Sequence, residues 1–406
     1  MKTLNKILIG INLFALQAYL IRFQIGNFPT NLQEILILLN TFTFLYLYPF
    51  KNFVEAFKKH WIISSFIALT VISVTLVPFS NGLDFVRHLK FLFFALILGF
   101  IFVETFKTNA DRKSALRIGG IGAIIFGIFC VTYNLLGYNA AYDLRLLGPL
   151  DAAVYLAFYF TPFFLFFAIS FFENHKDKSN LIYALMLGML LLATRSMGAI
   201  GASVLVLGIY FYKNSELKIL KSRVSKIILG ILVVAAVAAT VYTKILPTLQ
   251  TEYSSLDERG EIWQTSLYLL SKPENALFGV GYGQFQQQYF LNVEQVLERQ
   301  PLDFYVLQPH NIFLLFVMQF GLLGLAFIVY CIFSVCRNIT RDGDSKTLAG
   351  TANYILLYFF IHGLIDTPFF KNDLLILVIL FMELALVREE TIFLKIKKKV
   401  KKALKR

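Results

Sequence analysis

The apolar residues of this chain fall in runs of roughly 17 to 25, each long enough as a helix to cross a hydrocarbon layer of about 30 Å. That feature limits the fold more than any motif does. Backbone in lipid must satisfy its own hydrogen bonds, and only helices and closed barrels achieve this. A barrel would show segments of about ten alternating residues, and none are seen. A soluble core would interrupt the runs with charge, whereas only 16% of residues are charged and 57% are hydrophobic. The pattern reads as an all-α polytopic membrane protein.

In chain order, spans are expected near 6–23, 32–49, 61–79, 88–105, 117–136, 152–172, 181–194, 197–212, 227–246, 310–335, 349–366 and 372–388, about twelve in all. Residues 1–246 would hold the first nine, 247–309 a long polar loop, 310–390 the last three, and 391–406 a basic tail. The net charge of +13 does not point to nucleic acid, because the cations cluster in short connectors and in the tail. With the N-terminus inside, the connectors on that side, the two termini included, hold about 28 of the 38 Lys and Arg, the asymmetry expected of cytoplasmic segments. Both termini are then cytoplasmic, the long loop faces outward, and the tail rests on anionic membrane lipid. The first residues resemble a signal peptide in charge and hydropathy but lack an evident cleavage site, so they read as a retained helix.

The run from Leu181 to Tyr212 is too long for one upright span and short for two, and Arg195 sits in its middle. Treating it as one span would put the KSRVSK connector outside. Two short spans meeting at Thr194-Arg195-Ser196 preserve the charge rule, and interrupted helices in membranes flank sites, because bare backbone survives only where protein or water covers it. Cys130, Cys331 and Cys336 all lie within or at the ends of spans, so no disulfide framework or cysteine metal site is implied.

In the loop, the apolar positions Ile262, Trp263, Leu267, Leu269 and Leu270 follow helical spacing, with Asp257 as N-cap, Arg259 in the first turn and Pro273 as terminator. Gly279, Gly281 and Gly283 make a glycine turn, where backbone packs or approaches a ligand closely, and a second short helix is expected near 292–299. The loop ends in Gln308-Pro309-His310-Asn311 before an apolar run, which puts His310 and Asn311 at a helix N-terminus. Free N–H groups and the positive dipole end favour anions there, and a neutral His can accept a proton. A lone interfacial histidine is more often structural than catalytic, so the residues alone leave both roles open.

The ordered set Thr194-Arg195-Ser196, Arg259-Gly260 to Trp263, Phe278-Gly279-Val280-Gly281-Tyr282-Gly283, His310-Asn311-x-x-Leu314 and Gly321-Leu322-Leu323-Gly324 resembles the O-antigen ligase and O-antigen polymerase superfamily, membrane glycosyltransferases of the GT-C type. The resemblance implies transfer of a glycan from an undecaprenyl diphosphate carrier to an acceptor at the periplasmic face of the bacterial inner membrane. The acceptor is lipid A-core in a ligase and a second lipid-linked glycan in a polymerase, and neither metal nor other cofactor takes part. It further implies Arg195 and Arg259 as diphosphate ligands and His310 as the base for the acceptor hydroxyl, or as a phosphate ligand. Arg is suited to that task by its permanent charge and paired donors.

Weaker candidates are Arg145, in an outer connector with Tyr142 and Asp143 that resembles the family loop before its sixth span, and the pair His362 and Asp366, one turn apart near the end of the eleventh span. Asn311 and Gly281 complete the expected substrate contacts, while Asp151 stands where the family commonly has asparagine. The sequence leans to ligase over polymerase. A transporter or flippase would carry an internal repeat and charges spread through several spans, and the polar residues here concentrate in one loop instead.

Overall fold

The computed structural model describes residues 2–26, 28–48, 59–78, 82–139, 145–214, 255–341 and 347–386. The span expected at 227–246, the basic tail, Tyr142 and Asp143 lie outside the described residues. Fourteen α-helices are found among those that are described. Four are long and apolar enough to cross a membrane (Phe85–Thr105, Asn109–Leu135, Ala153–Glu173 and Ile312–Arg341), and four shorter apolar helices accompany them. The chain is a multi-pass helical membrane protein.

The helices are α1 (Lys2–Phe14), α2 (Leu32–Leu47), α3 (Trp61–Leu76), α4 (Gly82–Thr105), α5 (Asn109–Leu135), α6 (Ala153–Glu173), α7 (Lys178–Ala193) and α8 (Met197–Asn214). After the undescribed stretch come α9 (Ser255–Leu270), α10 (Pro273–Phe278), α11 (Phe285–Leu297), α12 (Ile312–Arg341), α13 (Leu348–His362) and α14 (Asn372–Leu386). Helix α14 is apolar apart from its first turn and Glu383, and from Asp373 to Leu386 every residue is buried. A helix without a polar face must be surrounded by protein or lipid. Here it is the axis of the bundle, with α4 and α13 packed most heavily on it.

The first expected span, 6–23, is corrected. Helix α1 stops at Phe14, a 3-10 turn covers Leu16–Leu20, and a hairpin of β1 (Arg22–Ile25) and β2 (Phe28–Asn31) follows, with Arg22 opposite Asn31. The reason lies in the polar residues. Arg22 and Gln24 are exposed, and Asn31 closes the hairpin by capping α2, its Oδ1 accepting from the Glu34 amide at 3.0 Å. Buried asparagines then join helices where lipid offers no hydrogen bonds: Asn40 Nδ2 donates to Asn5 Oδ1 at 2.7 Å, and Asn5 Nδ2 to Thr105 Oγ1 at 2.7 Å.

The tenth expected span is also not one straight helix. Gly321 has φ 64° and ψ −154°, so α12 is broken there. A side-chain carbon placed on Gly324 would fall 2.4 Å from the carbonyl oxygen of Phe316, whereas residues eight apart in a continuous helix are separated by about 12 Å. The chain therefore turns sharply between 312–320 and 322–341, and the second segment alone reaches about 30 Å. The glycine turn fills the corner: the Val280 amide donates to Met318 O at 2.8 Å, and a Cβ on Gly279, at φ 80°, would lie 2.5 Å from that same oxygen. Only glycine permits both that backbone angle and that approach.

Candidate functional site

The break between α7 and α8 falls where Arg195 predicted it. Helix α7 ends at Ala193, Arg195 adopts φ 50°, and α8 opens at Met197. Left-handed backbone costs a residue with a side chain about 1 to 2 kcal/mol. Only two other non-glycine residues among those described take positive φ, and one is His310, also at 50°. Two of the three residues expected to carry the chemistry thus sit in strained backbone, which persists where surrounding contacts hold it.

Those contacts are specific around His310. The Trp263 indole on α9 donates to Pro309 O at 2.9 Å. Asn311 accepts from the amides of Phe313 and Leu314 at 3.0 and 3.2 Å, the N-cap role, while its own amide donates to Leu364 O at 3.1 Å. The Ile312 amide donates to Gly363 O at 2.6 Å. The start of α12 is thereby fastened to the turn after α13. Asn311, expected to touch substrate, spends its carboxamide on backbone.

That turn delivers Asp366. Its Oδ1 lies 2.9 Å from His310 Nδ1, and its Oδ2 lies 3.6 Å from Arg259 Nη2. Arg259 also donates through Nε to Ile365 O and through Nη1 to Ser255 O, both at 3.0 Å. Burial disfavours the charged carboxylate, but the His310 hydrogen bond and the positive charge around it, that of Arg259 included, outweigh it and hold Asp366 below its ordinary value. In the neutral form of the imidazole, the ionised Asp366 accepts the proton of His310 at Nδ1. Among the described residues Nε2 then has no hydrogen-bond partner, and with a third of the side chain exposed it is the nitrogen free to accept a proton.

The pairing of His362 with Asp366 on one helix face is corrected. Helix α13 ends at His362, and Asp366, whose amide still donates to His362 O at 3.0 Å, directs its carboxylate to His310. His362 is buried, with Nδ1 3.0 Å from the Tyr358 hydroxyl and its ring against Gly198 in the first turn of α8. It packs the broken pair against the turn that carries Asp366. Arg145 comes to the same region: the Leu146 amide donates to Ala193 O at 3.0 Å, which sets the connector between α5 and α6 beside the Arg195 break. Gly281, at φ 101°, packs on Gln284 and Val77 within the buried glycine turn. Asp257 is not the cap of α9, which begins two residues earlier at Ser255; it lies in the acidic first turn, with Arg259 just beyond. The helix expected near 292–299 is α11, the third of the loop, and it starts earlier, at Phe285.

Sequence reasoning missed two groups. Lys371 and Asp373 precede and open α14, and a Lys-Asn-Asp segment ahead of the last apolar run was the available signal. Trp263 enters the sequence reading as an apolar position and as the end of a motif but not as a hydrogen-bond donor, although a half-buried indole N–H requires an acceptor.

Residues 181–329 match a family model described as O-antigen ligase, a stretch that includes Arg195, Arg259, His310 and Asn311 and leaves out Asp366, its closest partner in space. No curated protein matched the chain. The match over residues 181–329 is to the same O-antigen ligase and polymerase superfamily that the motifs of the sequence resemble.

Proposed function

We propose that the protein is an O-antigen ligase, transferring a glycan from an undecaprenyl diphosphate carrier to lipid A-core at the periplasmic face of the bacterial inner membrane. The observation that supports this most is the contact of His310, Asp366 and Arg259 at the start of α12. In this reading the acceptor hydroxyl gives its proton to His310 Nε2 and its oxygen bonds to the anomeric carbon. The bond from that carbon to the diphosphate oxygen breaks, and the diphosphate leaves with the electron pair. Arg259 and Arg195 stabilise the charge that develops on it, and no metal is required. Asp366 orients the imidazole and steadies the imidazolium.

Substituting His310→Ala, Arg259→Ala or Arg195→Ala is expected to lower transfer at least about a hundredfold while the protein remains inserted in the membrane. Full activity of His310→Ala would overturn the base assignment. Gels of membrane glycolipid from a strain lacking the protein test the acceptor. Loss of all glycan on lipid A-core, single units included, is expected, whereas persistence of single capped units would make the enzyme a polymerase.

A further inference from the structure

The proposed donor carries a diphosphate, and the cationic charge at the site described so far is already partly spent. Arg259 is countered by Asp366, and its Nε and one Nη1 proton are committed to carbonyl oxygens. A diphosphate bears more than one negative charge, and with Arg259 so committed only Arg195 of the proposed ligands is left to balance it, which calls for a further cation near His310.

Lys371 stands five residues after Asp366, between the 3-10 turn Pro368–Phe370 and α14. Its ammonium lies 3.5 Å from the centroid of the Tyr155 ring in the first turn of α6 and 5.8 Å from that of Tyr19. A cation on a ring face is held in place with its N–H donors only partly used. Among the described residues no carboxylate comes within 4.0 Å of Nζ, the limit for an ion pair. The nearby charges are Asp373, Asp151 and Arg22. Of these, Asp373 is buried and takes a hydrogen bond from Gln17 Nε2 at 2.7 Å, whereas Asp151 and Arg22 are exposed. Phe158, one turn on from Tyr155 in α6, has its ring centroid 5.6 Å from that of His362 and 5.8 Å from that of Phe369, so the platform under Lys371 is packed against the end of α13 that leads to Asp366.

We infer that Lys371, presented on the rings of Tyr155 and Tyr19, is a further anion-binding residue of the site and takes phosphate oxygens of a substrate. This rests on the transfer reading above. The phosphate belongs either to the lipid-linked donor or to the acceptor, and substrate titrations separate the two. In Lys371→Met, with the same reach and no charge, the KM for one of these substrates is expected to rise about tenfold or more, and in Lys371→Arg to rise less. A rise in donor KM, with weaker inhibition by inorganic pyrophosphate, assigns the carrier diphosphate. A rise confined to the acceptor assigns the acceptor's phosphate. Unchanged KM values and pyrophosphate inhibition in Lys371→Met, with only its melting temperature lowered, would overturn the inference and leave Lys371 a counter-ion to Asp373. Should the wild-type protein transfer no glycan, pyrophosphate binding measured by thermal shift still tests the anion site: loss of the shift in Lys371→Met supports it, and an equal shift in both proteins contradicts it.

Discussion

At the residue scale the account turns on Asp366. It fixes the tautomer of His310 and counters Arg259, so Asp366→Asn is expected to lower transfer at least about a hundredfold without removing a side chain from the site. Its folded value lies below the ordinary 3.8, so the stability it contributes is present above pH 3.8 and is lost as the pH falls through the lower folded value. Melting curves of wild type and Asp366→Asn should therefore converge in acid and separate toward neutrality; a constant offset across the range would contradict the pairing. Little of this was legible beforehand. Arg195 and His310 could be picked out because a charge in an apolar run and a histidine at a helix start are locally visible. The partner of His310 is 56 residues away, and local spacing instead suggested His362, because a helix that ends at that residue was read as continuing to Asp366.

At the scale of elements, apolar runs located the helices well, since length and hydropathy are set by the solvent each helix crosses. They could not show where an apolar helix reverses. The break at Gly321 is flanked by Phe320 and Leu322, so nothing polar marks it, and its cause is a backbone contact with the glycine turn. Nor did they show what ties the far ends together. His60, immediately before α3, is buried and hydrogen-bonds Glu383 of α14 through Nδ1 and Glu104 of α4 through Nε2, the latter at 3.2 Å. Burial disfavours the charged imidazole, but the bonds to Glu104 and Glu383 and their charges prevail and raise its value from 6.5 to about 9. The stability this adds is fully present below pH 6.5 and is lost as the pH rises through about 9. The melting temperature is expected to fall over that interval in the wild type and to fall less in His60→Gln. Parallel curves for the two proteins would show that the imidazole charge is not what joins α3, α4 and α14.

For the whole molecule, the His310 cluster is assembled from three distant parts of the chain, the first turns of α9, the start of α12 and the turn after α13, with α8 packed behind it through Gly198 and His362. The buried axis α14 underlies that assembly, because the turn carrying Asp366 and Lys371 leads directly into it. The measurement that tests the central claim most directly uses the purified full-length protein in lipid vesicles, supplied with carrier-linked glycan and lipid A-core. The account predicts that glycan becomes joined to the core while free undecaprenyl diphosphate appears in equal amount, and that His310→Ala does neither. Glycan crossing the bilayer with its carrier bond intact, and no diphosphate released, would contradict it.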